Sequence, residues 1–277
     1  MFSNLPTLGV GLGFRSPFRS DLFSHREHVD FLEITADHYL DASPEKEEEL
    51  ELLAGHFILI PHGLNLSLGS AEGIDPLYLG KLARLINRLQ PPWWSEHIAF
   101  TQAGGVHIGH LAPLPFTDET VEVLCRNIAT VRREIAAPLL LENITYTVSL
   151  PGSEMSEAAF IAEVLERSDC GLLLDLTNLH TNASNHGYDP GDFLKRLPLK
   201  RVVQLHFAGG HWRNNILVDS HSHPTPPEVW AWMEKVLADA PVKAAVLERD
   251  ENLPPFESVL AELEKARELG RRHGRWA

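Results

Sequence analysis

Residues 171 to 177 read GLLLDLT, a short run without charge that stops at one carboxylate, Asp175. A continuous apolar run of this length reads as a parallel strand buried on both faces, because a strand with one solvated face would alternate apolar with polar residues. The same pattern recurs on either side: PLLLENI (138–144) and WWSEHIAF (93–100) before it, VVQLHFA (202–208) and AAVLERD (244–250) after it. FILIPHG (57–63), VDFLEI (29–34) and TLGVGLG (7–13) complete the series toward the N-terminus. That gives eight candidate strands. Between them lie helical stripes, the clearest at 118–135, where Val121, Leu124, Ile128, Val131 and Ile135 recur behind a Thr117 N-cap, with another formed by Leu82, Leu85, Ile86 and Leu89. Eight strand–helix units predict a single α/β domain over residues 1–277, a (β/α)8 TIM barrel.

Composition agrees and narrows the function. At 277 residues the chain has the usual length of such a barrel, and its 44% hydrophobic and 22% charged residues are ordinary globular usage. Lys and Arg number 24 against 38 Asp and Glu, a formal net charge of −14 that disfavours nucleic acid as a partner. No stretch approaches the length of a membrane span and the N-terminus has no secretory pattern, so a cytoplasmic protein is expected. Cys125 and Cys170 are expected to be reduced and packed. GVGLGF near the N-terminus lacks the third glycine of a dinucleotide fingerprint and reads as the first barrel strand.

The functional signal lies in the residues that end the strands, since barrel active sites form at the carboxyl ends. Glu33, His62, His97, Glu142, Asp175, His206 and Glu248 all stand there. One such residue would pass as a hydrogen-bonded core group. Seven in one cavity concentrate unpaired charge at a cost of several kcal/mol each, which bound cations offset. The long irregular stretch 208–225 adds DSHSHP (219–224), whose D-x-H unit on extended chain sends Asp219 and His221 to one side. Oxygen and imidazole donors without cysteine suit zinc, iron or manganese.

These residues and strings resemble the multinuclear non-haem iron-dependent oxidative enzymes, relatives of the methanobactin and thiaglutamate peptide-modifying oxidases. The resemblance is carried by GVGLGFR (9–15), HGLNLSLG (62–69), WWSEHIAF (93–100), LAPLPFT (111–117), LLLENIT (139–145), LLLDLTN (172–178), NHGYDP (185–190), QLHFAGGH (204–211), DSHSHP (219–224) and LERDENLPP (247–255). It implies a xylose isomerase-like barrel holding two or three irons in mixed Fe(II)/Fe(III) states. It further implies a short cysteine-containing precursor peptide as substrate, dioxygen as oxidant, and hydrogen abstraction from the cysteine β-carbon. Because no leader-binding domain is visible, a separate peptide-binding partner protein is expected.

By the same resemblance His62 and His97 hold one iron, and Glu142 bridges to a second held by Asp175, His206 and Glu248. Asp219, His221 and Asn178 serve a third. Some members carry histidine where this chain has Asn178, a weaker donor, and His180 lies close by in sequence. Asn65, Glu96, Asn143 and Arg249 sit beside proposed ligands and could orient them or a peptide carboxylate, although strand alternation points Glu96 and Arg249 toward the helices. His211, after the Gly209–Gly210 pair, reads as an acid, a base, a gate or a plain loop histidine; it and Asn65 are the catalytic candidates. The order of ligands also resembles the trinuclear zinc endonucleases that act at abasic sites, which offer metal-activated water as an alternative chemistry, and a sugar isomerase-like enzyme shares the fold.

Overall fold

A computed structural model describes residues 2–276. Each of the eight apolar runs forms a strand, and together they close a parallel barrel. In chain order these are β1 (Gly9–Gly13), β2 (Leu32–Thr35), β3 (Leu59–His62), β4 (Trp94–His97), β7 (Leu139–Glu142), β8 (Gly171–Asp175), β9 (Val202–Phe207) and β12 (Ala244–Leu247). Each pairs with its sequential neighbour, and β1 meets β12 to complete the ring. The α-helices are α1 (Arg19–Ser24), α2 (Pro44–Ala54), α3 (Pro76–Leu89), α4 (Asp118–Glu134), α5 (Glu157–Ser168), α6 (Leu176–His186), α7 (Pro190–Arg196), α8 (Pro227–Asp239) and α9 (Phe256–Arg272). Thr117 caps α4 as its sequence predicts, its side chain accepting from Thr120 N at 3.2 Å. Both cysteines are free, and among the described residues no helix is long and apolar enough to cross a membrane.

Strand periodicity places the site. Side chains two residues apart share a face, so Phe31, Ile60, Trp93, Leu140, Leu173 and Val246, all buried in one interior cluster, form an apolar floor. Glu33, His62, Ser95, Glu142, Asp175 and Glu248 follow one step nearer the carboxyl ends. Pairing sets His97 opposite Glu142 and Asp175 opposite His206. Gly11 is required here: a Cβ would come within 2.7 Å of the Phe31 ring.

The stretch 208–225 is not irregular. It folds as an antiparallel hairpin, β10 (Gly209–Arg213) with β11 (Ile216–His223), and a second hairpin, β5 (Phe100–Ala103) with β6 (Val106–Ala112), follows β4. Asn214–Asn215 and Gly104–Gly105 form the turns, with positive φ at both positions, the requirement of a two-residue turn matched to strand twist. Both hairpins rise beside the carboxyl mouth of the barrel.

Candidate metal centre

Glu142 occupies the middle of the mouth, and its two oxygens face different histidines. Oε2 lies 3.4 Å from His62 Nε2 and 3.4 Å from His97 Nε2, whereas Oε1 lies 3.3 Å from His206 Nδ1. Two donors each about 2.1 Å from one ion at a near-tetrahedral angle stand about 3.4 Å apart, so this spacing is that of ligands around a shared cation. His206 Nδ1 is also 3.1 Å from Glu248 Oε2. Donor atoms converge within 4.8 Å of one another in the sets His62–His97–Glu142, Glu142–Asp175–His206 and Asp175–His221–Glu248. Glu142 is thus shared by two corners, and Asp175 by two.

The polar atoms left without partners mark the same place. Among the described residues, buried atoms lacking a hydrogen bond include Glu142 Oε2, His206 Nδ1, Asn178 Oδ1, Asp219 Oδ1 and His221 Nε2. Asp219 Oδ1 and His221 Nε2 lie 2.8 Å apart without donor–acceptor alignment. Buried polar atoms are normally paired; four of these five residues line one cavity of about 340 Å³, and His206 Nδ1 faces two of its carboxylates, Glu142 and Glu248, an arrangement that fits bound cations.

Each ligand is held from behind. His62 Nδ1 contacts the Ser95 hydroxyl at 2.8 Å, and His97 Nδ1 donates to Gly63 O at 3.1 Å, so both present Nε2 to Glu142. Asp175 caps α6, its Oδ1 accepting from Thr177 N at 2.6 Å and Asn178 N at 2.8 Å, while Asn143 grips its backbone on both sides. Asn178 donates from Nδ2 to Asn143 O at 2.9 Å, which turns its oxygen to the cavity. His221 adopts φ 49° and contacts Asp250 through Nδ1 at 2.9 Å; Asp250 accepts in turn from Arg15. The third corner is richer than the sequence suggested, because Asp175 and Glu248 both face His221.

Glu33 also converges with His206 and Glu248, but its role differs. Its oxygens are 2.8 and 3.0 Å from His206 Nε2, the nitrogen turned away from Glu142 and Glu248. Glu33 therefore holds the His206 tautomer from below. The chain of contacts continues through the barrel, with Gln204 Nε2 donating to Glu33 at 2.5 Å and Trp93 Nε1 donating to Gln204 at 2.7 Å. Sequence reading missed Gln204 and Trp93; a glutamine two residues before a strand-end histidine was the available signal.

Electrostatics follow from crowding. Burial disfavours the His97 cation, yet Glu142 and Glu96 outweigh it and raise its pKa to about 9. Burial would raise Glu142, but His206, His97 and His62 hold it at about 2. Burial together with Glu142 and Asp219 pushes Asp175 up to about 8. Without cations the site keeps its charge balance by retaining protons.

Two catalytic candidates lie elsewhere. Asn65 donates to Asp37 at 2.8 Å and does not line the cavity, because Asp37 and Tyr78 draw the loop after β3 outward. His211 sits on β10, its Nδ1 2.9 Å from Ser220 Oγ in a run of contacts through Ser222 to His223, outside the metal cavity. His180 is also outside that cavity, on the α6 face nearest Glu228 of α8. Glu96 pins its own strand end, accepting from His97 N at 2.8 Å and Leu66 N at 3.2 Å, and Arg249 faces α9 through Glu262.

The fold and site define a xylose isomerase-like barrel with a candidate multinuclear metal centre at its mouth. Two solved structures share the fold at low identity. A D-tagatose 3-epimerase-like protein matches with TM-score 0.62 and 14% identity over 95% of this chain and 98% of that one. A xylose isomerase domain protein from Alicyclobacillus acidocaldarius matches with TM-score 0.61 and 16% identity over 95% of this chain and 100% of that one. The chain belongs to the family of RiPP precursor modification enzymes MbnB/TglH/ChrH, whose family model matches residues 9–271. Among its relatives is a UPF0276 protein of Caulobacter vibrioides, 37% identical over 273 residues, covering 98% of this chain and 95% of that protein.

Proposed function

We propose that the chain is a multinuclear iron-dependent oxidase or oxygenase that uses dioxygen to modify a cysteine of a ribosomally synthesised peptide in natural-product biosynthesis. The observation that carries this reading is Glu142, whose two oxygens face separate histidine sets and would bridge two ions, in a chain of the peptide-modifying family. A carboxylate-rich set of oxygen and imidazole donors without thiolate suits iron, with manganese or zinc as the competing ions. His62, His97 and Glu142 would hold one iron; Glu142, Asp175, His206 and Glu248 a second; Asp175, Asp219, His221, Glu248 and the Asn178 oxygen a third. When bound, the irons supply electrons to dioxygen and a Lewis-acidic seat for the cysteine sulfur.

The protein's own part is positional. Glu33 keeps the proton on His206 Nε2 and Asp250 keeps one on His221 Nδ1, which leaves the opposite nitrogens free as donors. Leu64, Leu111 and Ile144 line the cavity and limit water at the reacting sulfur. We propose further that a separate peptide-binding protein delivers the substrate. Elemental analysis of protein reconstituted without oxygen, followed by oxygen uptake with a cysteine-containing peptide, tests the reading. Two to three irons per chain and peptide-dependent uptake are expected. Stoichiometric zinc with no iron, together with cleavage of abasic DNA, would replace it with the hydrolytic alternative.

A further inference from the structure

Beside the metal cavity lies a larger cleft of about 640 Å³, walled by β6, by residues 145–148 after β7, by α6 and by β11. The two spaces join, since Leu111, Thr145 and Asp219 line both. The metal cavity alone has room for a small substrate, so the adjoining cleft provides for a longer one. Its lining includes Val148 and Ile216, two large hydrophobic side chains left 65% and 41% exposed on opposite segments of the same cleft. Thr181 lines the cleft and keeps a buried hydroxyl without a protein partner.

The walls are set in advance. Asn185 grips β11 at Leu217 with two bonds of 2.9 Å, as a paired strand would. Tyr146 stacks on His186 at 4.5 Å and donates to Glu157 at 3.0 Å. A groove that needs no ordering on binding retains more of its contact energy. Charge in it is sparse: apart from the Tyr146 phenol, His110 and Asp219 are the ionisable side chains lining it, and Asp219 faces the metal cavity as well.

We propose that this cleft docks the segment of the peptide flanking the reacting cysteine and selects apolar over acidic side chains there. The inference rests on the peptide-modifying reading above. An apolar flank covers Val148 and Ile216, and continuity through Thr145 and Asp219 brings the neighbouring cysteine to the metal cavity. An acidic flank would lose water without gaining a cationic partner, next to the carboxylates of the site and in a chain of net charge −14.

The test uses metal-loaded protein immobilised under nitrogen and a pooled synthetic pentapeptide library with cysteine fixed at the centre, the retained peptides being sequenced by mass spectrometry. Val, Leu, Ile and Ala next to cysteine should be enriched over Asp and Glu by roughly tenfold, the low end of the discrimination an apolar pocket achieves. The Val148→Glu/Ile216→Glu variant, altered only at exposed positions, should keep its metal and lose that preference. Trp212→Glu, exposed on the same hairpin but outside the cleft, should retain it. Retention of no peptide, absence of selection, or selection that survives in the double variant overturns the assignment. Zinc-only protein that still selects apolar peptides would overturn the oxidative reading alone, and iron-loaded protein that turns over cysteine peptides without selection would overturn the cleft alone.

Discussion

Replacing Glu33 by glutamine keeps the side-chain volume but leaves one acceptor oxygen where two donors, Gln204 Nε2 and His206 Nε2, now meet a carboxylate at 2.5 to 3.0 Å. One oxygen cannot serve both as well, and the new amide nitrogen finds no acceptor among them. An unsatisfied buried donor costs about 1–3 kcal/mol of folding stability. The effect on metal is separable, because His206 loses the carboxylate that makes its Nδ1 a strong donor. Removing such a partner typically lowers affinity about tenfold to a hundredfold, or about 1.4–2.7 kcal/mol. Chelator competition should therefore show Glu33→Gln weakened at the corner held by His206, while the corner of His62 and His97 changes little. Thermal unfolding of the metal-free protein measures the stability part. Affinity at the His206 corner equal to wild type would refute the assignment of Glu33 as its hydrogen-bond partner, and complete loss of metal there would show that Glu33 is itself a ligand.

Glu142→Ala removes the shared carboxylate, so it should abolish activity and most metal binding while far-UV circular dichroism shows the barrel intact; retained metal stoichiometry would contradict its bridging role. The third ion should bind most weakly, since Asp219 and His221 stand on a hairpin instead of the barrel, and Asn178→His should tighten it by supplying imidazole; equal occupancy of all corners under limiting iron, read crystallographically, would count against this. Glu157 is raised to about 7 by burial, partly opposed by the hydrogen bond from Tyr146. Between its ordinary 4.5 and about 7 the unfolded chain ionises while the folded one stays neutral, so stability falls with rising pH across that window and levels off above it. Glu157 is only partly enclosed, so the drop should be about 2 kcal/mol, discounted from roughly 3 for full burial. Glu157→Gln should flatten that part of the profile in urea titrations; an unchanged slope would mean that Glu157 does not titrate there.

The barrel was legible because parallel strands buried on both faces must be continuously apolar, which made each run visible and its polar terminator conspicuous. His62, His97, Glu142, Asp175 and Glu248 stand where that pattern puts them, since the two-residue period sets them above the apolar floor whatever the loops do, whereas His206 comes three residues after Val203 of that floor, past an irregularity in the β8–β9 register. The hairpins went unread: 208–225 was expected to be irregular, and the Asn214–Asn215 and Gly104–Gly105 pairs were the available signal. Tertiary structure alone decided the rest. Which nitrogen of His206 faces Glu142 depends on Glu33, 173 residues away in sequence. Asn65 and His211 stand one short segment from residues that line the metal cavity, yet Asp37 and Ser220 draw them aside, and no local pattern encodes that. The cleft beside the centre is assembled from β6, residues 145–148, α6 and β11, segments whose proximity comes only from closing the ring. Strand periodicity is a local property of the chain, whereas tautomer, loop aim and cavity shape are set by groups that meet only once the barrel has closed.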